Sequence, residues 1–256
     1  MMKRLLFTYS LICLFFTGYS QATFNINDQY DYGALRDVSW SVCQTQDGGF
    51  LMAGNTYDFT IPWDACHMIR TDCKGDTLWT KTYDYSATGG NSYRAIVELN
   101  DGNIVVAGLF QDTSVLNNDF FLAKYDASGN EIWFKQYGGL DYDVCWDMKQ
   151  AIDGGFVLVG YTANNTNGGD DFYLVKTNSN GDLEWEQTYG GSMNDLGFSV
   201  NLTNDAGYIL SGRTESYGAG QFDLYMIKVD SLGTFQWDGT YGGTGSEGGS
   251  GAKQTS

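Results

Sequence analysis

A short pattern recurs four times along this chain and constrains its fold more than any other feature. Each copy is an Asp, two small or turn-forming residues, four mostly apolar residues and a Gly, as in 153–160. The copies begin at Asp47, Asp101, Asp153 and Asp205, which are 54, 52 and 52 residues apart. One tryptophan and one tyrosine recur with the same spacing: Trp79, Trp133, Trp185, Trp237, Tyr83, Tyr137, Tyr189 and Tyr241. Periods of about 50 residues are typical of solenoids, propellers or arrays.

The third repeat shows the strand content of one unit. Its β-forming runs are 144–150, 156–162, 172–176 and 183–189, and turn residues separate them. No window carries a sustained apolar period of about 3.6 residues, so we expect no substantial helix. The third run is apolar on both faces and needs a packed layer on each side. Stacked solenoid coils would supply such layers, but four antiparallel strands per unit favour an all-β fold, a β-propeller of four-stranded blades.

The repeat boundaries predict four complete blades with partial units at both ends. The complete blades are expected at about 34–85, 86–139, 140–191 and 192–243. The segment 24–33 contains the same Tyr-Asp-Tyr sequence that ends the first unit, which predicts a lone outer strand that, in a ring, would complete the last blade and close the circle. Glu247 lies 52 residues after Asp195, so 244–256 is interpreted as the first strand of a truncated fifth blade. We therefore expect the ring to be incomplete in this chain.

Residues 1–20 are set apart from the repeats. Lys3 and Arg4 precede an apolar run at 5–16, and small residues follow it. This pattern predicts a secretory signal peptide. A membrane anchor is the alternative, although the run is short for a span. The propeller domain is then expected at 21–256, in a protein that is secreted or held at the outer cell surface.

The balance of charge limits the partners of the chain. Lys and Arg number 14 against 31 Asp and Glu, which gives a formal net charge of −17. Such a field repels phosphate backbones and anionic lipid surfaces, so nucleic acid is not expected as a partner. Beyond residue 20, no stretch is long and apolar enough to predict a membrane span.

Residue types that usually carry catalysis or bind metals are sparse. The single histidine, His67, occupies the repeat position filled elsewhere by Phe121 and Tyr173, which indicates a packed ring. None of the cysteines beyond residue 20 occupies a repeated position, and free thiols are predicted for Cys43, Cys66, Cys73 and Cys145. The repeated acids are interpreted as hydrogen-bond acceptors for turns and strand ends. No catalytic residue, metal site or cofactor is predicted.

The sequence from Lys124 to Trp133 has the form Lys-x-Asp-x-x-Gly-x-x-x-Trp. It resembles the SBBP-type bacterial β-propeller repeat and the Asp-Gly-Gly repeat proteins that bacteria secrete. More distantly, it is similar to the tryptophan-docking motif of PQQ-dependent dehydrogenase propellers. The resemblance implies a secreted or surface propeller in which the repeated Trp and Gly residues lock neighbouring blades. The residues given this structural role are Trp79, Trp133, Trp185, Trp237, Gly75, Gly129, Gly181 and Gly233.

Residues that differ between the copies are freer to bind a ligand than residues present in all of them. The loops between the second and third strands of each blade differ most, and they share one face with the connections between blades. Aromatic and acidic residues on that face suit protein or sugar surfaces. The candidate binding residues are Tyr57, Trp63, Asp141, Tyr142 and Tyr217.

These observations predict a non-catalytic extracellular scaffold that binds protein or glycan, as in adhesion. The alternative is a propeller hydrolase or lyase that acts on polysaccharide through an acid near the central channel, such as Asp147. No spacing of acids in the sequence singles out a catalytic pair.

Overall fold

The computed structural model describes residues 36–58, 61–85, 89–112, 117–164, 166 and 168–255. The predicted signal peptide at 1–20 and the predicted lone strand at 24–33 lie outside the described residues. Within the described part of the chain there is no helix, and hence none of the length and apolarity that a membrane span needs.

The described residues form sixteen strands in four sheets, each with four neighbouring antiparallel strands. The first sheet contains β1 (Arg36–Gln44), β2 (Phe50–Asp58), β3 (Ile61–Thr71) and β4 (Thr77–Tyr83). The second contains β5 (Asn91–Glu98), β6 (Ile104–Asp112), β7 (Asn117–Tyr125) and β8 (Glu131–Tyr137). The third contains β9 (Asp143–Gln150), β10 (Phe156–Thr162), β11 (Asp171–Thr177) and β12 (Leu183–Tyr189). The fourth contains β13 (Asp195–Leu202), β14 (Tyr208–Thr214), β15 (Asp223–Val229) and β16 (Phe235–Tyr241).

The sheets pack face to face as blades. Consecutive first strands contact one another, which places β1, β5, β9 and β13 innermost. In the third blade the last strand is largely exposed, while the second and third strands are buried on both faces. The fold is therefore all-β, with four four-stranded antiparallel blades in a β-propeller-like arrangement, and the fold-class prediction is confirmed.

The core lies between neighbouring sheets. Phe120 of the second blade packs against Tyr173 of the third, with ring centroids 4.9 Å apart. Phe172 of the third blade packs in the same way against Tyr225 of the fourth, at 5.7 Å. Full burial of one such ring stabilises the fold by about 1.5–3 kcal/mol, so repeated pairs of this kind hold the blades together.

The Asp-Gly turn of each blade is a tight hairpin. In the first blade Gly48 has a φ of +85°, which glycine adopts without a steric penalty. The Asp47 carboxylate accepts hydrogen bonds from the Gly49 amide at 3.1 Å and from the Thr45 hydroxyl at 2.7 Å. Ala206 takes the place of the glycine in the fourth blade and keeps a positive φ of 62°. The Asp side chain thus fixes the turn even where the glycine is absent.

The repeated tryptophan and tyrosine of one blade contact the second hairpin turn of the next blade. The Tyr137 hydroxyl donates to the Gly181 carbonyl at 2.5 Å, and the Trp133 ring lies directly against Gly181. Tyr189 donates to the Gly233 carbonyl at the same distance. A tyrosine and a tryptophan of the preceding blade therefore contact the turns at Gly181 and Gly233.

The chain after β16 forms no strand over 242–255. This differs from the strand predicted for 244–256, because an extended segment becomes a strand only by pairing, and none of the described residues pairs with it in a ladder. The segment nevertheless lies against the fourth blade. The Glu247 amide donates to the Phe222 carbonyl at 2.6 Å, and the Asn201 side chain donates to the Ala252 carbonyl at 2.8 Å.

The four cysteines in the described residues, Cys43, Cys66, Cys73 and Cys145, are free thiols, as predicted. Burial raises the pKa of Cys66 and Cys145 well above the ordinary thiol range. Thiols of this kind remain protonated at neutral pH and behave as small apolar side chains.

Acid should destabilise this fold at a predictable pH. The Thr45 hydroxyl, with the Gly49 amide and Arg70, lowers the pKa of Asp47 from its ordinary 3.8 to about 2. Lowered pKa values are shared by other turn carboxylates: Asp101, Asp126, Asp153, Asp182, Asp205 and Asp230. A lowered folded-state pKa contributes stability above about pH 4 that is lost as the pH falls through the folded value. Burial raises the pKa of Asp143 and Asp170, so these two carboxyls have the opposite effect on stability in acid. They are outnumbered by the carboxylates whose pKa is lowered.

We therefore expect urea midpoints to fall between pH 4 and pH 2. Asp47→Asn should make that fall shallower, because one lowered carboxylate is removed. An unchanged urea midpoint across this range would contradict the assignment of the turn carboxylates as stabilising.

Candidate functional site

Every innermost strand has a β-bulge at the same repeat position. In β1 the pairing with β2 skips Trp40, and in β5 the pairing with β6 skips Arg94. The same irregularity skips Trp146 in β9 and Phe198 in β13. A bulge leaves one residue out of the ladder and redirects its side chain. The four bulged residues are spaced like the repeats but differ in chemistry, so they combine a fixed backbone with variable side chains.

The bulged side chains meet in one cluster. The Arg94 guanidinium lies 4.0 Å from the ring centroid of Trp40 and 4.5 Å from that of Trp146. The two indoles meet edge to face at 6.2 Å, and Trp146 meets Phe198 in the same way at 5.6 Å. A cation between two indole faces is stabilised by about 0.5–2 kcal/mol at each face. The aromatic rings thus fix the guanidinium in place.

Arg94 is not fully satisfied by these contacts. Its Nε and Nη1 atoms are buried and have no hydrogen-bond partner among the described residues. Burial lowers the pKa of Arg94 from its ordinary value, and the Asp64 carboxylate acts in the opposite direction. An arginine guanidinium stays charged in proteins, so this site holds a cation with two unused donors. Buried polar groups normally have partners, and an exception calls for an explanation.

Arg94 and Trp40 form the inner wall of a cleft between the first and second blades. An inner cavity of about 270 Å³ is lined by Trp40 and Arg94, and an outer cavity of about 510 Å³ is lined by Tyr57 and Trp63. The two cavities adjoin, because they share four lining residues: Arg36, Asp64, Gly90 and Gln111. The cleft therefore extends from the loop face of the protein to the bulged residues of the innermost strands.

Polar side chains are distributed along the inner cavity. The Trp40 indole N–H donates to Asn55 Oδ1 at 2.8 Å, and the Ser92 hydroxyl donates to the same oxygen at 3.1 Å. Asn118 Oδ1 is buried and has no hydrogen-bond partner among the described residues. The inner cavity can thus offer both donors and acceptors to a ligand.

The charge of the cleft differs from that of the whole chain. Arg36 donates to both carboxylate oxygens of Asp64, at 2.9 and 2.7 Å, so those two charges compensate each other. Arg94 has no such carboxylate partner among the described residues. The cleft is therefore locally cationic in a chain whose formal net charge is −17.

The structure brings together two of the five predicted binding residues. Tyr57 and Trp63 both line the outer cavity, and Trp63 is 44% exposed. Asp141 and Tyr142 belong to the third blade, where the Asp141 amide donates to Asn164. Tyr217 belongs to the fourth blade, and its hydroxyl donates to the Gly190 carbonyl at 3.1 Å.

Sequence reasoning missed the residues of the bulge cluster. The signal was present, because Trp40, Arg94, Trp146 and Phe198 occupy one repeat position with three different side-chain types. Variation between repeats is expected in loops, whereas here it also occurs inside the innermost strands.

Other chemistry-bearing residues have structural partners. Asp147 accepts hydrogen bonds from the Ser199 hydroxyl and the Val200 amide, both at 3.1 Å, and so links β9 to β13. Lys149 donates to the same carboxylate at 2.6 Å. The buried His67 ring contacts the Thr82 hydroxyl at 2.9 Å. No group of three or more His, Cys, Asp or Glu side chains suited to a metal ion occurs in the described residues.

Comparison with known proteins gave structural matches only. No family model matches the chain, and no curated protein matches it. Among solved structures, it is similar to the crystal structure of Sqt1 from Chaetomium thermophilum, with 10% sequence identity and a TM-score of 0.35. That match covers 78% of this chain and 60% of Sqt1.

Proposed function

We propose that this protein is a non-catalytic binding scaffold that takes a carboxylate-bearing carbohydrate into the cleft between its first and second blades. The observation that carries the proposal is the Arg94 guanidinium, fixed between two indoles with two buried donors unused. We further propose that binding occurs outside the cell or at its surface, in line with the signal peptide predicted at 1–20.

A carboxylate is the group that matches Arg94 best. The planar guanidinium presents its donors in a fork that fits a carboxylate with two parallel hydrogen bonds. The surrounding negative field of the chain disfavours an anion at most other places, so the local cation directs such a ligand to this cleft. The Arg36 side chain is less suitable, because Asp64 already occupies it.

A carbohydrate fits the remainder of the cleft. Trp63 and Tyr57 offer flat apolar faces at the entrance, on which a sugar ring can pack. Asn55, Gln111 and Asn118 bring side-chain amides to the inner part, and amides can both donate to and accept from hydroxyl groups. Small-molecule sites commonly combine aromatic walls with a few polar groups in this way.

The direct test is calorimetric titration of the protein with an oligogalacturonate and with its methyl ester, which keeps the rings but loses the charge. We expect the acid to bind and the ester to bind at least about tenfold more weakly. Arg94→Gln should weaken binding of the acid by about 10- to 100-fold, because a charged hydrogen bond contributes about 1.5–3 kcal/mol.

Matched variants separate the cleft from the rest of the surface. Arg213 also lies over an aromatic ring, 4.0 Å from the Phe222 centroid, but outside the cleft, so Arg213→Gln should leave the affinity unchanged. Trp63→Ala should weaken binding by up to about tenfold, whereas Tyr217→Ala should not. Equal binding of acid and ester, or equal loss in Arg94→Gln and Arg213→Gln, would contradict the proposed ligand class.

A further inference from the structure

The outer strand of the fourth blade is more exposed than its counterparts. Trp237 is 47% exposed and Tyr241 is 54% exposed, whereas Tyr137 at the same repeat position is only 7% exposed. These two rings make up a surface that we name the Trp237 edge. In the preceding blades, the tyrosine and the tryptophan at these two repeat positions contact the second hairpin turn of the following blade.

We propose that the Trp237 edge is the docking surface for a further blade of this same repeat type, which enters through the glycine turn of its second hairpin. The three interfaces between consecutive blades of this chain show which groups the docked blade would have to offer. The Tyr83, Tyr137 and Tyr189 hydroxyls each donate to the carbonyl of a turn glycine in the next blade. Tyr241 has the same place in its blade and the same hydroxyl donor.

The tryptophan contact also specifies a glycine in the partner. An added Cβ at Gly233 would lie 2.8 Å from the Trp185 ring, and one at Gly181 would lie equally close to the Trp133 ring. Only a residue without a side chain allows the indole to lie flat against the turn. The ring of Trp237 is therefore complementary to a glycine turn and not to an arbitrary apolar surface.

The segment 242–255 already follows the path that the first strand of such a blade would take. Glu247 donates its amide to the Phe222 carbonyl at 2.6 Å, just as Asp195 donates to the Asp170 carbonyl at 2.6 Å one repeat earlier. Gly249 lies against Leu224 as Gly197 lies against Phe172. The fourth blade thus presents both the edge and the start of the next inner strand.

A second copy of this chain is a less suitable occupant than a further blade. Its most similar docking element would be the turn of the first blade, which contains Gly75. That glycine already takes part in another interaction. An additional repeat would instead bring a glycine turn of its own, in register with the repeats before it.

The test is an extension of the full chain by one repeat. Because Ser256 lies 52 residues after Asn204, a second copy of 205–256 placed directly after Ser256 continues the repeat in register. The protein is labelled with 5-fluorotryptophan, and the Trp237 resonance is assigned by Trp237→Phe. We expect this resonance to shift and to lose its response to a soluble quencher in the extended chain, and Tm to rise by about 5 °C.

Two control variants make the result specific. Valine in place of the copied Gly233 should abolish the shift, because its side chain would meet the Trp237 ring. Trp237→Ala should leave the original chain nearly as stable as before but should abolish the gain in Tm from the extension. An unshifted Trp237 resonance in the extended chain overturns the proposal. The same shift in the original chain on raising its concentration would also overturn it and would identify a second copy as the occupant.

Discussion

Gly181→Ala should lower the free energy of unfolding by about 2–4 kcal/mol. Gly181 is buried and has a φ of +75°, a conformation that costs alanine about 1 kcal/mol. Its added Cβ would lie 2.8 Å from the Trp133 ring, and overpacking of this kind costs about 1–3 kcal/mol more. The loss arises at the contact between the second and third blades, so it reports on how strongly the blades are locked together.

Gly154→Ala is the matched control in the same blade. Gly154 has a φ of +84°, but nothing lies within 4 Å of the position that its Cβ would take. It should therefore show only the backbone penalty of about 1 kcal/mol. Urea unfolding followed by circular dichroism gives both values. If the two variants lost equal stability, the Trp133 contact would contribute nothing to blade docking.

The blade architecture could be predicted from the sequence because it depends on local sequence patterns that recur in every repeat. An Asp-Gly turn predicts a hairpin, and a run apolar on both faces, such as 172–175, predicts burial on both sides. Four copies of the same signal reinforce one another. The segment 244–256 was predicted as a first strand, but its described residues are not paired as one, since strand formation depends on a neighbour and not on the segment itself.

The candidate site could be predicted only in part from the sequence. Trp63 and Tyr57 could be proposed because the sequence predicted a variable loop around them, although the structure places them at the adjoining ends of β2 and β3. The loops of four blades share one face, and the sequence does not say which two approach each other. Arg94 was missed because a bulge inside a strand has no signature in a single copy. It becomes visible only when repeats are aligned and the bulged position is seen to vary.

Rigid blades and a variable bulge together explain how one repeat can serve a specific site. The repeated contacts of Trp133 and Tyr137 fix the relative position of two blades to within a hydrogen-bond distance. The first strands belong to these same blades and contact one another, so their bulged side chains meet at a fixed place in the structure. Substitution of a bulged residue can therefore change the ligand without changing the scaffold.

A buried lysine provides a second strong test of the scaffold. Lys176 is only 2% exposed, and its Nζ donates to Asp153 and Glu184 at 2.7 Å each and to the Thr177 carbonyl at 2.9 Å. It links the first hairpin turn of the third blade to its outer strand. The basic residues at the same repeat position are Arg70, Lys124 and Lys228.

Lys176→Met should lower the free energy of unfolding by about 2 kcal/mol. Loss of one member of a fully buried ion pair costs about 3–5 kcal/mol, but Asp153 and Glu184 are half exposed here and water can solvate them. Lys124→Met is the control, because the Lys124 side chain is more exposed, at 17%, and its ion-pair partner Asp101 lies 3.8 Å away. That variant should lose about 0.5 kcal/mol or less. Equal losses would show that the ion pairs of Lys176 stabilise the blade no more than the longer and more exposed pair of Lys124.

The pH dependence of the Lys176→Met effect separates charge from packing. Burial alone would lower the pKa of Lys176, but its hydrogen bonds to Asp153 and Glu184 raise it above the ordinary 10.5. Slight burial tends to raise the pKa of Asp153, but the hydrogen bonds from Lys176 and the Gly155 amide, together with the Lys176 charge, outweigh it, so the net pKa falls below 3.8. The raised lysine contributes stability that is lost only as the pH rises through its folded value, and the lowered carboxylate contributes stability that is lost as the pH falls through its own. The difference in unfolding free energy between wild type and Lys176→Met should therefore be largest between about pH 4 and pH 10 and should shrink on both sides, whereas a packing effect would be the same at every pH.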